Sequence, residues 1–367
     1  MKKVLFRADA SLTIGSGHVM RCLTLAKELR ECGIEIHFVC RMLDGHMRET
    51  IAENKFNVTM LAPLEGSENE PQLPYSDWLG ENQEYDAKQT LPTVSKIKPD
   101  CIIVDHYTLD YKWQSIVKPY TNKIMVIDDL GDRKHECDFL LDQTFGTSAD
   151  KYSRLVPEKC QIFTGTEYAL LRKEFVSIRS STLSARKETN DLNTILISFG
   201  GMDRENLSLI ALQACEVSAL KPQASIHIVN GASNQNHESL IKFIKNSRHD
   251  VKLHVNINNI ATLMSEADLA IGAGGTTSWE RCALGLPSLV VCVADNQVDV
   301  IANLNEVGAL KSLGNKKHVS IETIHSAIDM FVDHPQKLKE MQLAAAAICD
   351  GNGTKRLVAS LQNSMAI

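Results

Sequence analysis

Short apolar runs alternate along this chain with longer stretches in which apolar side chains recur every three to four residues. Residues 3–7 form a brief apolar run closing on a polar turn, the pattern of a buried strand. Over 19–31 the period lengthens, with Met20, Leu23, Ala26 and Leu29 on one face and Val19, Cys22 and Leu25 beside them. That spacing predicts a helix, which Gly33 ends. The rhythm continues through a strand over 34–40, a helix near 46–54, a strand over 57–61, a helix over 85–97 and a strand over 100–105. Two further short strands fall at 123–128 and 139–142. Strands alternating with helices imply crossover connections and a parallel sheet.

After a helix over 168–179, residues 180–193 turn polar and charged without apolar periodicity, which reads as a linker. A second series then opens: strand 194–199, helix 205–216, strand 225–229, helix 237–245 and strand 251–255. It runs on through helix 260–266, strand 269–271, helix 278–284, strand 288–293 and helix 297–306 into a helical C-terminal third. One core rarely grows beyond ~250–300 residues, and this chain has 367. The expected architecture is α/β, two Rossmann-like domains facing a central cleft. The first spans 1–180 and the second 190–367.

The segment 63–84 breaks the rhythm. Pro63, Pro71 and Pro74 stand among Glu65, Glu68, Glu70, Asp77, Glu81 and Glu84, and the segment reads as a solvated acidic loop. A formal net charge of −6 lacks the basic footprint of a nucleic-acid binder. Lys2 and Lys3 run directly into the first strand, so no secretory signal is expected, and no stretch is apolar enough for a membrane span. The ten cysteines include no C-x-x-C pair, and Cys22, Cys32, Cys40, Cys101, Cys282 and Cys292 lie in apolar or helical patterns. Reduced thiols in the cytoplasm are expected, without structural zinc. The oligomeric state stays open, a monomer being favoured.

Ligands of open α/β sheets bind beyond the carboxyl ends of the strands, so the turns there carry the chemistry. The first is Ile14-Gly15-Ser16-Gly17-His18. A dinucleotide fingerprint would need glycine or alanine at position 20, which is Met20. His18 stands at the positive end of a helix dipole, which favours a neutral ring able to accept a proton. A ring that merely caps or packs on the first turn is the competing reading. The second turn is Phe199-Gly200-Gly201-Met202-Asp203, followed by Asn206. Phosphate could sit on its amides, or Asp203 could simply cap the next helix. The third is Gly272-Ala273-Gly274-Gly275-Thr276-Thr277-Ser278-Trp279-Glu280, which has no G-K-[ST] and is not a Walker loop. Its bare amides suit a diphosphate, and Glu280 could accept from a ribose diol. Thr277-x-x-Glu280 is also a capping box, and one carboxylate cannot fully serve both. Asp105-His106-Tyr107 and Ala294-Asp295-Asn296-Gln297 end two further strands on the same edge.

The opening Phe6-Arg7-Ala8-Asp9-Ala10 with Ile14-Gly15-Ser16-Gly17-His18-Val19-Met20-Arg21-Cys22-Leu23 resembles that of the UDP-2,4-diacetamido-2,4,6-trideoxy-β-L-altropyranose hydrolases of pseudaminic acid synthesis. The likeness continues through Val104-Asp105-His106-Tyr107, Leu140-Leu141-Asp142, Tyr168-Ala169-Leu170-Leu171-Arg172, Phe199-Gly200-Gly201-Met202-Asp203, Asn259-Ile260-Ala261 and Asn296-Gln297. The resemblance implies a GT-B-like fold with its active site in the interdomain cleft. It implies His18 as general base, Tyr107 and Asn296 around the reacting sugar, and Asn206 and Glu280 as uridine-diphosphate contacts. Gly15, Gly17, Gly200, Gly201, Gly274, Gly275 and Thr276 complete the expected substrate-binding set. The expected reaction is hydrolysis of the UDP-sugar with inversion, needing neither cofactor nor metal. A glycosyltransferase of the same fold and a non-catalytic nucleotide-sugar sensor are the alternatives.

Overall fold

The computed structural model describes residues 1–63, 75, 78, 82–188, 191–231 and 234–365. The chain forms two units: Met1–Leu170 together with the residues from Asn352 on, and Leu171–Gly351.

The first unit is built on seven parallel strands: β1 (Lys3–Ala8), β2 (Glu35–Arg41), β3 (Asn57–Leu61), β4 (Cys101–Asp105), β5 (Lys123–Ile127), β6 (Phe139–Asp142) and β7 (Gln161–Thr164). Their order is β3-β2-β1-β4-β5-β6-β7. Strand β1 is central, with Phe6 level with Phe38 of β2 and Ile103 of β4. Its Val4-Leu5-Phe6 run is apolar on successive positions because both faces are covered. Val4 and Phe6 pack with Val19, Leu25 and Leu29 of helix Gly17–Glu31, while Leu5 packs with Ile102 and Trp113 on the other side.

The second unit has six parallel strands: β8 (Thr194–Ser198), β9 (Ser225–Asn230), β10 (Asp250–Val255), β11 (Leu269–Ala273), β12 (Ser288–Cys292) and β13 (Lys311–Asn315). The order β10-β9-β8-β11-β12-β13 repeats that of the first sheet. In both, the chain reverses its direction of travel across the sheet at one point, between β1 and β4 and between β8 and β11. Ligands of such sheets bind at that switch point.

Two boundaries differ from those expected. Residues 180–186 are no linker: helix Lys173–Arg186 continues through them and belongs to the second unit. Its buried face is made by Phe175, Thr182 and Arg186. The Arg186 guanidinium donates to the carbonyls of Leu284, Ala267 and Met264 at 2.9, 2.6 and 2.7 Å, which apolar periodicity cannot register. The last helix, Gly353–Met365, belongs to the first unit instead of the second, because Leu357, Val358 and Leu361 fill the core around Val19 and Leu25. A side chain at Gly353 would stand 2.4 Å from the Ala169 backbone, so that approach needs glycine.

Beneath the carboxyl ends of β1 and β2 lies a buried set of charges. Arg7 donates to both Asp9 oxygens at 2.6 and 2.9 Å and to Asp86, which also takes the Arg41 guanidinium and Trp113 Nε1. Asp9 Oδ1 accepts the Arg41 amide at 2.6 Å. Two arginines and two aspartates balance, and the network fixes the start of the loop that leads to His18. Among the described residues no helix is long and apolar enough to cross a membrane. No group of three or more metal-ligating side chains is found among them either.

Candidate functional site

In the first unit the loop after β1 is folded by Ser11. Its Oγ accepts from the amides of Thr13 and Ile14, and its carbonyl accepts from Gly15 at 2.8 Å. Gly15 holds φ +81°, the left-handed region that favours glycine, but its amide is committed to the loop. Gly17 opens the helix and His18 follows it.

His18 is buried and reaches the end of β4, where its Nδ1 lies 2.6 Å from Asp105 Oδ1. Burial alone would push the Asp105 carboxyl up, but Arg21 and His18 beside it hold it well below the usual carboxylate range. An ionised carboxylate can only accept, so Nδ1 carries the ring proton. In the neutral ring the lone pair then sits on Nε2, which has no protein partner among the described residues. Asp105 is fully buried behind the ring and orients it. The alternative in which His18 only packs on its own turn does not describe this geometry.

Arg21 stands three residues on, on the same helix face. Its Nε and Nη2 each lie 2.7 Å from an Asp105 oxygen, a two-point fork. Its Nη1 donates to Asp129 Oδ2 at 3.2 Å, while Tyr107 Oη donates to Asp129 Oδ1 at 2.5 Å. The His18 and Tyr107 rings meet edge to face with centroids 4.6 Å apart. Trp78 lies over Tyr107 and near His18, with Tyr75 against both Trp78 and Tyr107. These two aromatics come from the acidic loop, most of which lies outside the described residues.

In the second unit the β8 turn is opened by Gly200 at φ +91°, and the Gly200 and Gly201 amides have no protein partner among the described residues. The helix that follows, Leu207–Val217, is closed to phosphate at its first turn. The Asp203 carboxylate takes the amides of Leu207 and Ser208 at 2.8 and 2.9 Å. Asn206 precedes that helix at φ +54°, donating to Ser239 Oγ with its own Oδ1 buried and unfilled.

The β11 turn divides its glycines between packing and access. A side chain at Gly272 would strike the Ser198 carbonyl at 2.2 Å, and one at Gly274 would strike Ile301 at 2.5 Å. At Gly275 the nearest neighbour is 3.8 Å away, leaving space. Thr276 caps helix Thr277–Ala283 without a side-chain bond. The capping box is absent, because Glu280 Oε1 instead accepts from Arg172 at 3.0 Å. Burial pushes the Glu280 carboxyl up, and Arg172 opposes it. Arg281, buried beside it, donates to the Ala273 carbonyl at 2.7 Å, and burial pushes its guanidinium down to about 10. Asn296 is exposed in the short turn Asp295–Gln297 after β12.

His18 and Tyr107 are thus joined in one network. Gly200, Gly201 and Asn206 lie on one side of the second switch point, and Gly274, Gly275, Thr276 and Glu280 on the other. Sequence reasoning left out Arg21, Asp129, Tyr75 and Trp78. The i, i+3 spacing of His18 and Arg21 was available as a signal, and Asp129 lies just beyond the end of β5 as Asp105 closes β4.

Two parallel sheets of one order, each with polar or glycine-rich turns at its switch point, are the layout of the GT-B fold. MurG of Acinetobacter baumannii superposes with a TM-score of 0.70 at 16% identity, over 99% of this chain and 100% of that one. UDP-GlcNAc 2-epimerase of Neisseria meningitidis, solved bound to UDP-GlcNAc, gives 0.65 at 17% identity, again over 99% and 100%. The glycosyltransferase family 28 C-terminal domain matches residues 194–358. The UDP-2,4-diacetamido-2,4,6-trideoxy-β-L-altropyranose hydrolase of Campylobacter jejuni is 30% identical over 297 residues, 80% of this chain and 93% of that relative. The chain belongs to the family of that hydrolase and is a nucleotide-sugar-processing enzyme.

Proposed function

We propose that the protein hydrolyses UDP-2,4-diacetamido-2,4,6-trideoxy-β-L-altrose to UDP and the free diacetamido sugar. The observation that carries this reading is the His18–Asp105 pair, a histidine whose Nδ1 proton is pinned at 2.6 Å and whose Nε2 is left to accept another. Nε2 takes a proton from water as the water oxygen bonds to the anomeric carbon. The bond from that carbon to the diphosphate oxygen breaks, its electron pair leaves with UDP, and the anomeric centre inverts. A general base of this kind contributes ~10²–10⁴-fold. Tyr107 and Asn296 border the sugar, Glu280 takes the ribose diol, and the amides of Gly200, Gly201, Gly275 and Thr276 meet the charge growing on the leaving diphosphate. Amides can do this without a metal, and no carboxylate pair of the usual glycosidase kind is required.

The likeness to MurG supports one other reading, transfer of the sugar to an acceptor. Incubation of the protein with the UDP-sugar in ¹⁸O-water, with EDTA and without acceptor, separates the readings. Stoichiometric UDP with the label in the sugar is the expected result. Release only on adding an acceptor means transfer, label in UDP means attack at phosphorus, and loss of activity in EDTA removes the metal-free mechanism.

A further inference from the structure

We infer that Arg21 is a positioning residue that yokes His18 and Tyr107 into one reacting unit. The inference rests on the proposed role of His18 as base. Three N–H groups of one guanidinium meet two carboxylates: Asp105, which holds His18, and Asp129, which holds Tyr107. The unbroken sequence of contacts is His18–Asp105–Arg21–Asp129–Tyr107, drawn from helix Gly17–Glu31, β4 and the segment after β5.

The fork does two things at once. It fixes Asp105 in rotation, so that Oδ1 points at Nδ1 and the base lone pair falls on Nε2. It also matches the Asp105 charge beside the ring, Nη2 sharing Oδ1 with Nδ1 and lying 3.3 Å from it. A buried carboxylate facing histidine alone would draw a proton onto the ring and hold it there, and a charged ring is no base. The groups around His18 are Asp105 from β4, Tyr107 and His106 from the turn after it, and Arg21 and Cys22 from its own helix, with Trp78 against its edge. Arg21 is the cation among them that touches Asp105.

The test uses the full chain with Arg21→Gln, Arg21→Lys and Asp129→Asn. Two readouts are followed: the pH profile of UDP release, and the ¹H–¹⁵N ring correlations of His18 assigned by difference from His18→Asn. Wild-type protein should show a neutral ring protonated at Nδ1. In Arg21→Gln the ring correlations should move toward the doubly protonated form, and the acid limb of kcat should move to higher pH. UDP affinity should stay within about twofold, because Arg21 lies outside the nucleotide-binding turns. Arg21→Lys restores charge without the fork, so the limb should return while kcat stays down ~10–100-fold. Asp129→Asn should lower kcat with the limb unmoved. An Arg21→Gln ring identical to wild type, or Arg21→Lys with full kcat, overturns the inference. If Arg21→Gln does not fold, the lysine and Asp129→Asn variants decide it. If the wild type releases no UDP, the hydrolase reading falls, and the ring spectra still decide the role of Arg21.

Discussion

The two units share one strand order and treat buried charge in opposite ways. In the first, burial would raise the carboxyls of Asp9, Asp86, Asp105 and Asp128, but adjacent cations or donors hold each of them down, Asp128 at about 2. Arg7 and Arg21 end above their ordinary value despite burial, because their carboxylates outweigh it. In the second unit burial wins. It raises Asp268 and Glu280 and pushes Arg186 and Arg281 down to about 10. A switch point proposed to hold a proton acceptor rigidly is built from matched charges. One proposed to receive a diphosphate is built from bare amides and glycine, beside side chains whose charges are only partly matched. The scaffold sets where a site lies, and the residues placed there decide what it does.

The comparison breaks most visibly at His18. Replacement by asparagine should lower kcat by ~10²–10⁴ while UDP affinity, measured by calorimetry, stays unchanged. A folded variant with near-full kcat would leave the first switch point without a base.

Acid should separate the units. The depressed carboxyls of the first unit contribute stability that is complete above their unfolded values near ~4 and is lost as pH falls through the folded ones. For Glu280 and Asp268 the sign reverses: their penalty at neutral pH is relieved as pH falls. Amide exchange followed by mass spectrometry, compared at pH 7 and at pH ~2, below the unfolded carboxyl values, should therefore show β1 and β4 losing protection before β8 and β11. The opposite order would refute the electrostatic contrast.

Glu280→Gln should weaken UDP binding by ~1.5–3 kcal/mol, the cost of removing one charged hydrogen-bond partner. Unchanged affinity would assign Glu280 to Arg172 alone. The smallest effects should divide the neighbouring glycines. Gly274→Ala should lower the melting point, at a cost of ~1–3 kcal/mol, because its methyl meets Ile301. Gly275→Ala should leave melting unchanged and alter only UDP affinity. Equal melting losses in both would remove the distinction between packing and access.

The sheets were legible because their inner strands carry short apolar runs, as Val4-Leu5-Phe6 in β1 and Leu269-Ala270-Ile271 in β11. The glycine turns were legible because each follows such a run. What escaped lay in partners far apart in sequence. Asp105 was visible at a strand end, but its hold on a ring 87 residues away is a matter of distance. The capping-box reading of Glu280 failed on Arg172, 108 residues off. Helix Lys173–Arg186 hid its extent because an arginine completes its buried face, and Leu357, Val358 and Leu361 would suit the core of either unit.

The second unit is inserted within the first, and this sets the order in which the molecule can be completed. As the chain leaves the ribosome, β1 to β7 emerge early, yet Val19 and Leu25 wait for Leu357, Val358 and Leu361. The whole of Leu171–Gly351 is made before that helix exists. The later-starting unit therefore finishes its core first. Meanwhile the earlier one shows an uncovered apolar face, the state in which a nascent chain meets chaperones.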